Sequence, residues 1–239
     1  MLANVPEISA PCGEFSADLH MPFAFLHGLL DFIADELPRW RDDPDRPKDA
    51  SETALTEYLC DHLSGATRMA DCWDVVQFRT EAKDQHDKSR KLDIAPKPRG
   101  ACIFIDGRRH TQYDPLMPIE CKRLPTPKGT DRDEREYVFS QHNSTGGIQR
   151  FKAGHHGGDH SLGAMIGYIQ EGTTASWHQR ISGWINELGM AGQAGWTDAD
   201  VLSLVKSDDT LRTAVLNSVH SRSGDLPKIE LRHLWLNIE

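Results

Sequence analysis

The sequence predicts a mixed α/β layer fold. Three observations carry the prediction: apolar residues recur at helical spacing in several segments, short runs of strand composition lie between them, and the order reads helix, strands, helix, strand, helix, strand. The 239 residues suffice for one domain of ordinary-to-large size or a domain with an appended subdomain. No window approaches the roughly 20 consecutive apolar residues of a membrane span, so a soluble protein with no membrane partner is expected. The 27 Lys+Arg against 36 Asp+Glu leave a net charge of −9, which excludes a protein that coats nucleic acid through bulk positive charge and leaves room only for a local basic groove. The five cysteines, at 12, 60, 72, 102 and 121, form no CxxC pair and suggest no disulfide framework. Residues 1–7 lack a basic stretch followed by an apolar one, so the expected location is cytoplasmic.

Between residues 22 and 40, Phe25, Leu26, Leu29, Leu30, Phe32, Ile33 and Leu37 recur at helical spacing, with Pro38 near the end. The polar run 41–49 carries two prolines and is expected to be an exposed connector. Ser51 or Asp49 can cap a second helix whose inward stripe is Leu55, Tyr58, Leu59, His62 and Leu63, and Gly65 would end it. Residues 73–80 have strand composition. A charged turn from 81 to 90 leads into 91–95, and the two segments could pair antiparallel. Residues 101–105 and 117–122 are two further short apolar runs. Residues 148–152 read as a short helix closed by Gly154, 163–169 as a buried strand, 175–188 as a helix, and 229–238 as a strand. Trp177, Trp184, Trp196 and Trp235 are expected in a core or interface.

Glu120 and Lys122 are two apart in a strand, so they leave the same face, while Ile119 and Cys121 face the core. Asp93 likewise stands outward between Leu92 and Ile94. Neighbouring strands would then present Asp93, Glu120 and Lys122 together. Two carboxylates at one end of a sheet form a hard-oxygen site suited to Mg²⁺ or Mn²⁺. Near such an ion a lysine can orient or help deprotonate water and stabilise charge developing on phosphorus.

Leu92-Asp93 followed by Glu120-Cys121-Lys122, with the acids 27 positions apart, resembles the PD-(D/E)xK nuclease superfamily. Leucine stands where the motif name has proline. The resemblance covers a little over half the chain and implies a restriction-endonuclease-like core, a central mixed sheet flanked by helices, running helix, three-stranded meander, helix, strand. The expected division is an N-terminal helical extension (1–48), the nuclease core (49–172) and a C-terminal helical and strand extension packed on it (173–239). The family adds a glutamate on the first core helix. Of Glu52 and Glu57, Glu52 aligns with the buried stripe. Gln149 matches a glutamine found on the second core helix. The resemblance thus implies Glu52, Asp93, Glu120, Lys122 and Gln149 as catalytic, with Asp93, Glu120 and Glu52 holding Mg²⁺ or Mn²⁺. Asp106 and Asp114 rank below Asp93 because each has a ready turn explanation.

Two features of the sequence bear on partners. His155-His156-Gly157-Gly158-Asp159-His160, with His142 upstream, lacks the paired ligand spacing of a zinc site and reads as a flexible surface loop whose histidines approach a phosphate backbone together with Lys152. Lys91, Arg123, Arg150 and Lys152 are the expected nucleic-acid contacts, within a basic rim that includes Lys88. The expected function is a DNA endonuclease, by resemblance on double-stranded DNA, for which a homodimer would be needed to cut both strands in one event. The acidic net charge favours delivery by a protein partner, as in restriction or anti-phage defence. The contrasting reading is a non-catalytic binding or assembly subunit that kept the fold. RNA and single-stranded substrates fit the same residues.

Overall fold

The computed structural model describes residues 18–49, 51–84, 87, 89–129, 132–141 and 146–239. Cys12, Lys88 and His142 lie outside them. In chain order the elements are β1 (Leu19–Met21), α1 (Ala24–Arg41), α2 (Glu52–Met69), β2 (Val76–Lys83), β3 (Lys91–Pro98), β4 (Ile103–Ile105), β5 (Arg108–His110), β6 (Ile119–Leu124), α3 (Gly147–Lys152), β7 (Leu162–Ile169), α4 (Thr174–Met190), β8 (Ser203–Asp208), β9 (Thr213–His220) and β10 (Ile229–Asn237). One mixed sheet runs β2-β3-β6-β7-β10-β9-β8, and β1-β4-β5 make a small second sheet. In the large sheet β7 is parallel to both β6 and β10, and the other pairs are antiparallel.

Alternation along the central strands sorts their side chains into two apolar layers. Ala164, Ile166 and Tyr168 of β7 and Leu234 and Leu236 of β10 pack with α1 and α2. Met165 and Ile169 of β7 and Leu231 and Trp235 of β10 pack with α3 and α4. The fold is therefore mixed α/β, with helices on both faces of a large sheet. Residues 173–239 supply one of the flanking helices and three of the sheet's seven strands.

Several local expectations change. Arg41 does not open the connector: it ends α1 and is buried, donating to Leu211 O at 2.6 Å and Asn237 O at 3.3 Å, bonds that repay its burial. Ser51 caps α2, its Oγ accepting from the Ala54 N–H at 3.3 Å. Gly65 stays helical and α2 continues to Met69, because its last turn is fastened from outside: Arg99 donates to the Thr67 hydroxyl at 3.1 Å and to Ser64 O at 3.4 Å. The first strand of the meander begins at Val76, since Trp73 turns back onto Phe25 and Phe32. Residues 103–105 join the small sheet instead of the large one. The four tryptophans 177, 184, 196 and 235 are buried as expected.

The expected outward face of β6 is a correction of substance. Both faces of this central strand are covered, so Glu120 is 0% and Lys122 5% exposed. The 153–161 segment is likewise no flexible surface loop. Arg222 grips it through Gly157 O (2.8 Å) and His160 O (3.1 Å), and His156 and His160 are buried.

Candidate active site

β3 and β6 register at a single pair, Ile94 with Ile119, and then part. Beyond that pair the β6 N–H groups that face β3 need other acceptors. Asp93 Oδ2 takes the Cys121 N–H at 2.7 Å, and Glu52 Oε2 takes the Arg123 N–H at 3.0 Å. Glu52 can do so because it is the first residue of α2, just after the Ser51 cap. The splay between two strands is thus filled by carboxylates where a sheet would have carbonyls.

Lys122 sits at the centre. Its Nζ lies 3.2 Å from Glu52 Oε1 and 3.0 Å from Glu120 Oε1. Arg150 of α3 donates to the same Glu120 oxygen at 2.5 Å. Glu52 belongs to the layer on one face of the sheet and Arg150 to the layer on the other, so the charge chain passes through the sheet where the strands part. The other Glu120 oxygen, Oε2, faces His156 Nδ1 at 3.1 Å, and neither atom has an aligned hydrogen-bond partner.

The electrostatics follow from this crowding. Burial, with the Glu120 charge adding to it, pushes the Asp93 carboxyl up to about 7, against the pull of Lys122 and the Cys121 N–H. Burial also penalises the Glu120 carboxylate, but Lys122, with help from His156 and Arg150, outweighs it and holds Glu120 well below the usual carboxylate range. Burial opposes the Lys122 ammonium, yet Glu120, Asp93 and Glu52 outweigh it, and Lys122 stays firmly protonated.

The other expected residues separate. Gln149 does not reach the cluster: its side-chain oxygen accepts from the Ser140 N–H (3.0 Å) and the Gly146 N–H (3.2 Å), fastening the start of α3. Lys152 is not a surface cation. It is buried, its Nζ 2.5 Å from Asp200 Oδ1 and 4.9 Å from the centre of the Trp196 ring. Lys91 is exposed and paired with Glu81 at 2.7 Å. Arg123 is half-buried, and Arg150 serves Glu120. Asp106 lies at a turn with φ 49°, and Asp114 accepts from the Thr111 N–H and hydroxyl, as their turn explanations require. His156, expected on a surface loop near a phosphate backbone, turns inward to Glu120 instead. Its signal was the pair of glycines around it, Gly154 and Gly157, both with positive φ. A Cβ on Gly157 would lie 2.7 Å from Pro118 Cγ, so only glycine lets the loop approach β6 closely enough to deliver the imidazole.

Among the described residues no three His, Cys, Asp or Glu side chains gather as a ready metal cage. The donor chemistry still fits a hard divalent ion, which needs only one or two carboxylates and keeps several waters. A buried carboxylate oxygen without a hydrogen bond and two carboxylates that repel one another are what such an ion relieves. No family model, curated protein or solved structure matches the chain.

Proposed function

We propose that this chain is a metal-dependent phosphodiesterase of the restriction-endonuclease-like kind, cutting DNA and directed to it by a protein partner in a restriction or anti-phage system. The observation that carries the reading is the splay of β3 from β6, which gathers Asp93, Glu120 and Glu52 around one lysine. The order of α2, the β2-β3-β6 meander, α3 and β7 supports it, because it is the order the sequence resemblance implies.

In this reading Asp93 and Glu120 hold Mg²⁺ or Mn²⁺. The bound ion would supply Lewis-acid polarisation of a phosphate oxygen and lower the pKa of a water. Lys122 remains an ammonium held between two carboxylates, so its part is to stabilise charge developing on phosphorus and to orient the attacking water, not to take its proton. Glu52 fixes the Lys122 head group. Arg150, a quarter exposed, can leave Glu120 for an incoming phosphate, which matches a guanidinium bidentately.

The test is incubation of purified protein with plasmid, linear duplex, single-stranded DNA and RNA in Mg²⁺, Mn²⁺ or EDTA, beside Glu120→Gln and Lys122→Met. Divalent-dependent DNA cleavage lost in both variants is expected. Cleavage that survives them places the activity elsewhere. A non-catalytic subunit is the second reading, favoured by how completely Glu120 Oε1 is spent on ion pairs; it predicts folded protein without cleavage and without divalent binding.

A further inference from the structure

We propose that His156 is a ligand of the divalent ion, its Nδ1 pairing with Glu120 Oε2, and that this nitrogen makes the site prefer Mn²⁺ over Mg²⁺. The inference rests on the metal-dependent reading above and names a ligand that the acid-and-lysine motif does not contain. Its basis is the division of labour at Glu120. Both cations sit on Oε1, Lys122 at 3.0 Å and Arg150 at 2.5 Å, which leaves Oε2 to the imidazole alone. Oε2 and Nδ1 are 3.1 Å apart, both buried, and not aligned for a hydrogen bond to each other or to any other group.

With its proton released, the imidazole Nδ1 and the Glu120 oxygen at that distance form a bite. Neighbouring ligands of an octahedral ion with bonds of about 2.1 Å lie about 3 Å apart, so the gap is already that of two donors sharing one ion. The imidazole is held in place: its residue is 3% exposed, its ring meets Phe151 edge-on with centroids 6.0 Å apart, and the flanking Gly157 is seated against Pro118 and gripped by Arg222. Carboxylate and water suit both Mg²⁺ and Mn²⁺, but Mg²⁺ is the smaller, harder ion and dehydrates reluctantly, so one nitrogen in an otherwise oxygen set costs it more and shifts the preference toward Mn²⁺.

The experiment titrates Mn²⁺ alone and Mg²⁺ alone into the metal-stripped full chain by calorimetry, for wild type, Glu120→Gln and His156→Ala, with circular dichroism confirming the fold of each. Pulsed electron paramagnetic resonance of Mn²⁺ bound to wild type supplies a readout free of any substitution. The expected results are Mn²⁺ bound at least about tenfold more tightly than Mg²⁺, a loss of about tenfold or more for Mn²⁺ in His156→Ala with Mg²⁺ little changed, and nitrogen modulation of the Mn²⁺ signal in wild type. If Mn²⁺ binds and Glu120→Gln abolishes it, but no nitrogen modulation appears or His156→Ala weakens both ions equally, the ligand assignment falls and the nuclease reading stands. If neither ion binds wild type, both fall.

Discussion

The Cys121 N–H donates to Asp93 Oδ2 at 2.7 Å, a bond that in a continuous sheet would run to a β3 carbonyl. The carboxyl that does this is half-buried and has Glu120 for a neighbour, and its folded pKa rises from 3.8 to about 7. The folded chain therefore holds that proton more tightly than the unfolded chain, and Asp93 costs stability as pH rises from about 4 to about 7, by at most about 4 kcal/mol at about 1.4 kcal/mol per pH unit. Asp93→Asn keeps an acceptor for Cys121. Urea denaturation is expected to find it more stable than wild type at pH 8, with the gain gone near pH 4. A gain of equal size at both pH values would refute the explanation.

Lys122 is the main counter-charge of a fully buried carboxylate. Lys122→Met is expected to cost about 3–5 kcal/mol, since one partner of a buried pair is left behind. Adding Glu120→Gln should recover much of that loss. Additive costs in the double-mutant cycle would show that the two groups do not stabilise each other.

Arg150 and Lys152 lie two residues apart on α3 and serve different clusters. Lys152 and Asp200 are both buried, whereas Arg150 is a quarter exposed, so Lys152→Met should destabilise by about 3 kcal/mol and Arg150→Ala by less than about 1.5 kcal/mol. The order reverses for divalent binding, where Arg150→Ala is expected to have an effect and Lys152→Met none. Thermal melts and the Mn²⁺ titration read the two effects separately.

A chain of buried histidines sets the acid limit. Tyr137 Oη meets His233 Nδ1 at 2.9 Å, His233 Nε2 meets Ser218 Oγ at 2.8 Å, Ser218 Oγ meets His220 Nε2 at 2.6 Å, and His220 Nδ1 meets Asp200 Oδ1 at 2.7 Å. Burial lowers His220 and His233 from 6.5, and takes His160 to about 4. These rings take up protons more readily when unfolded, so their contribution is full above about 6.5 and is lost as pH falls below it. Denaturation of Asp93→Asn, free of the opposing Asp93 effect, should show stability falling steadily from pH 7 to pH 5. A flat profile would mean that the rings titrate normally in the fold.

Much of the fold was written in hydrophobic period: α1, α2 and α4 carry clean apolar stripes, and β7 is wholly buried. Four strands escaped: β1 and β5 have three residues each, too few to show a period, and β8 and β9 lack that signature. β8 is exposed along almost its whole length, and the inward side of β9 passes from Ala214 and Leu216 to Ser218 and His220, polar groups paired inside the core. At the site, strand spacing was enough to bring Glu120 and Lys122 to one side of the sheet, and the α2 stripe enough to favour Glu52 over the exposed Glu57. The burial of Glu120 was not legible, because it depends on α3 and the 153–161 segment closing over β6. Gln149 and Lys152 were read one way and lie another for a related reason: a six-residue helix has too few apolar positions to fix which side chain points where.

The position of β10 carries a consequence in time. It lies between β7 and β9 and pairs with β7 along eight residues, yet it is made from residues 229–237. A ribosome working from the N-terminus finishes Glu52, Asp93, Glu120 and Lys122 long before the strand that seals β7 exists. Until then the far edge of an entirely buried strand stays open, ready to pair with another chain. A product stopped short of residue 229 should therefore clump instead of settling into a smaller working unit, and the charge cluster becomes a finished site only once residues 229–237 have been made.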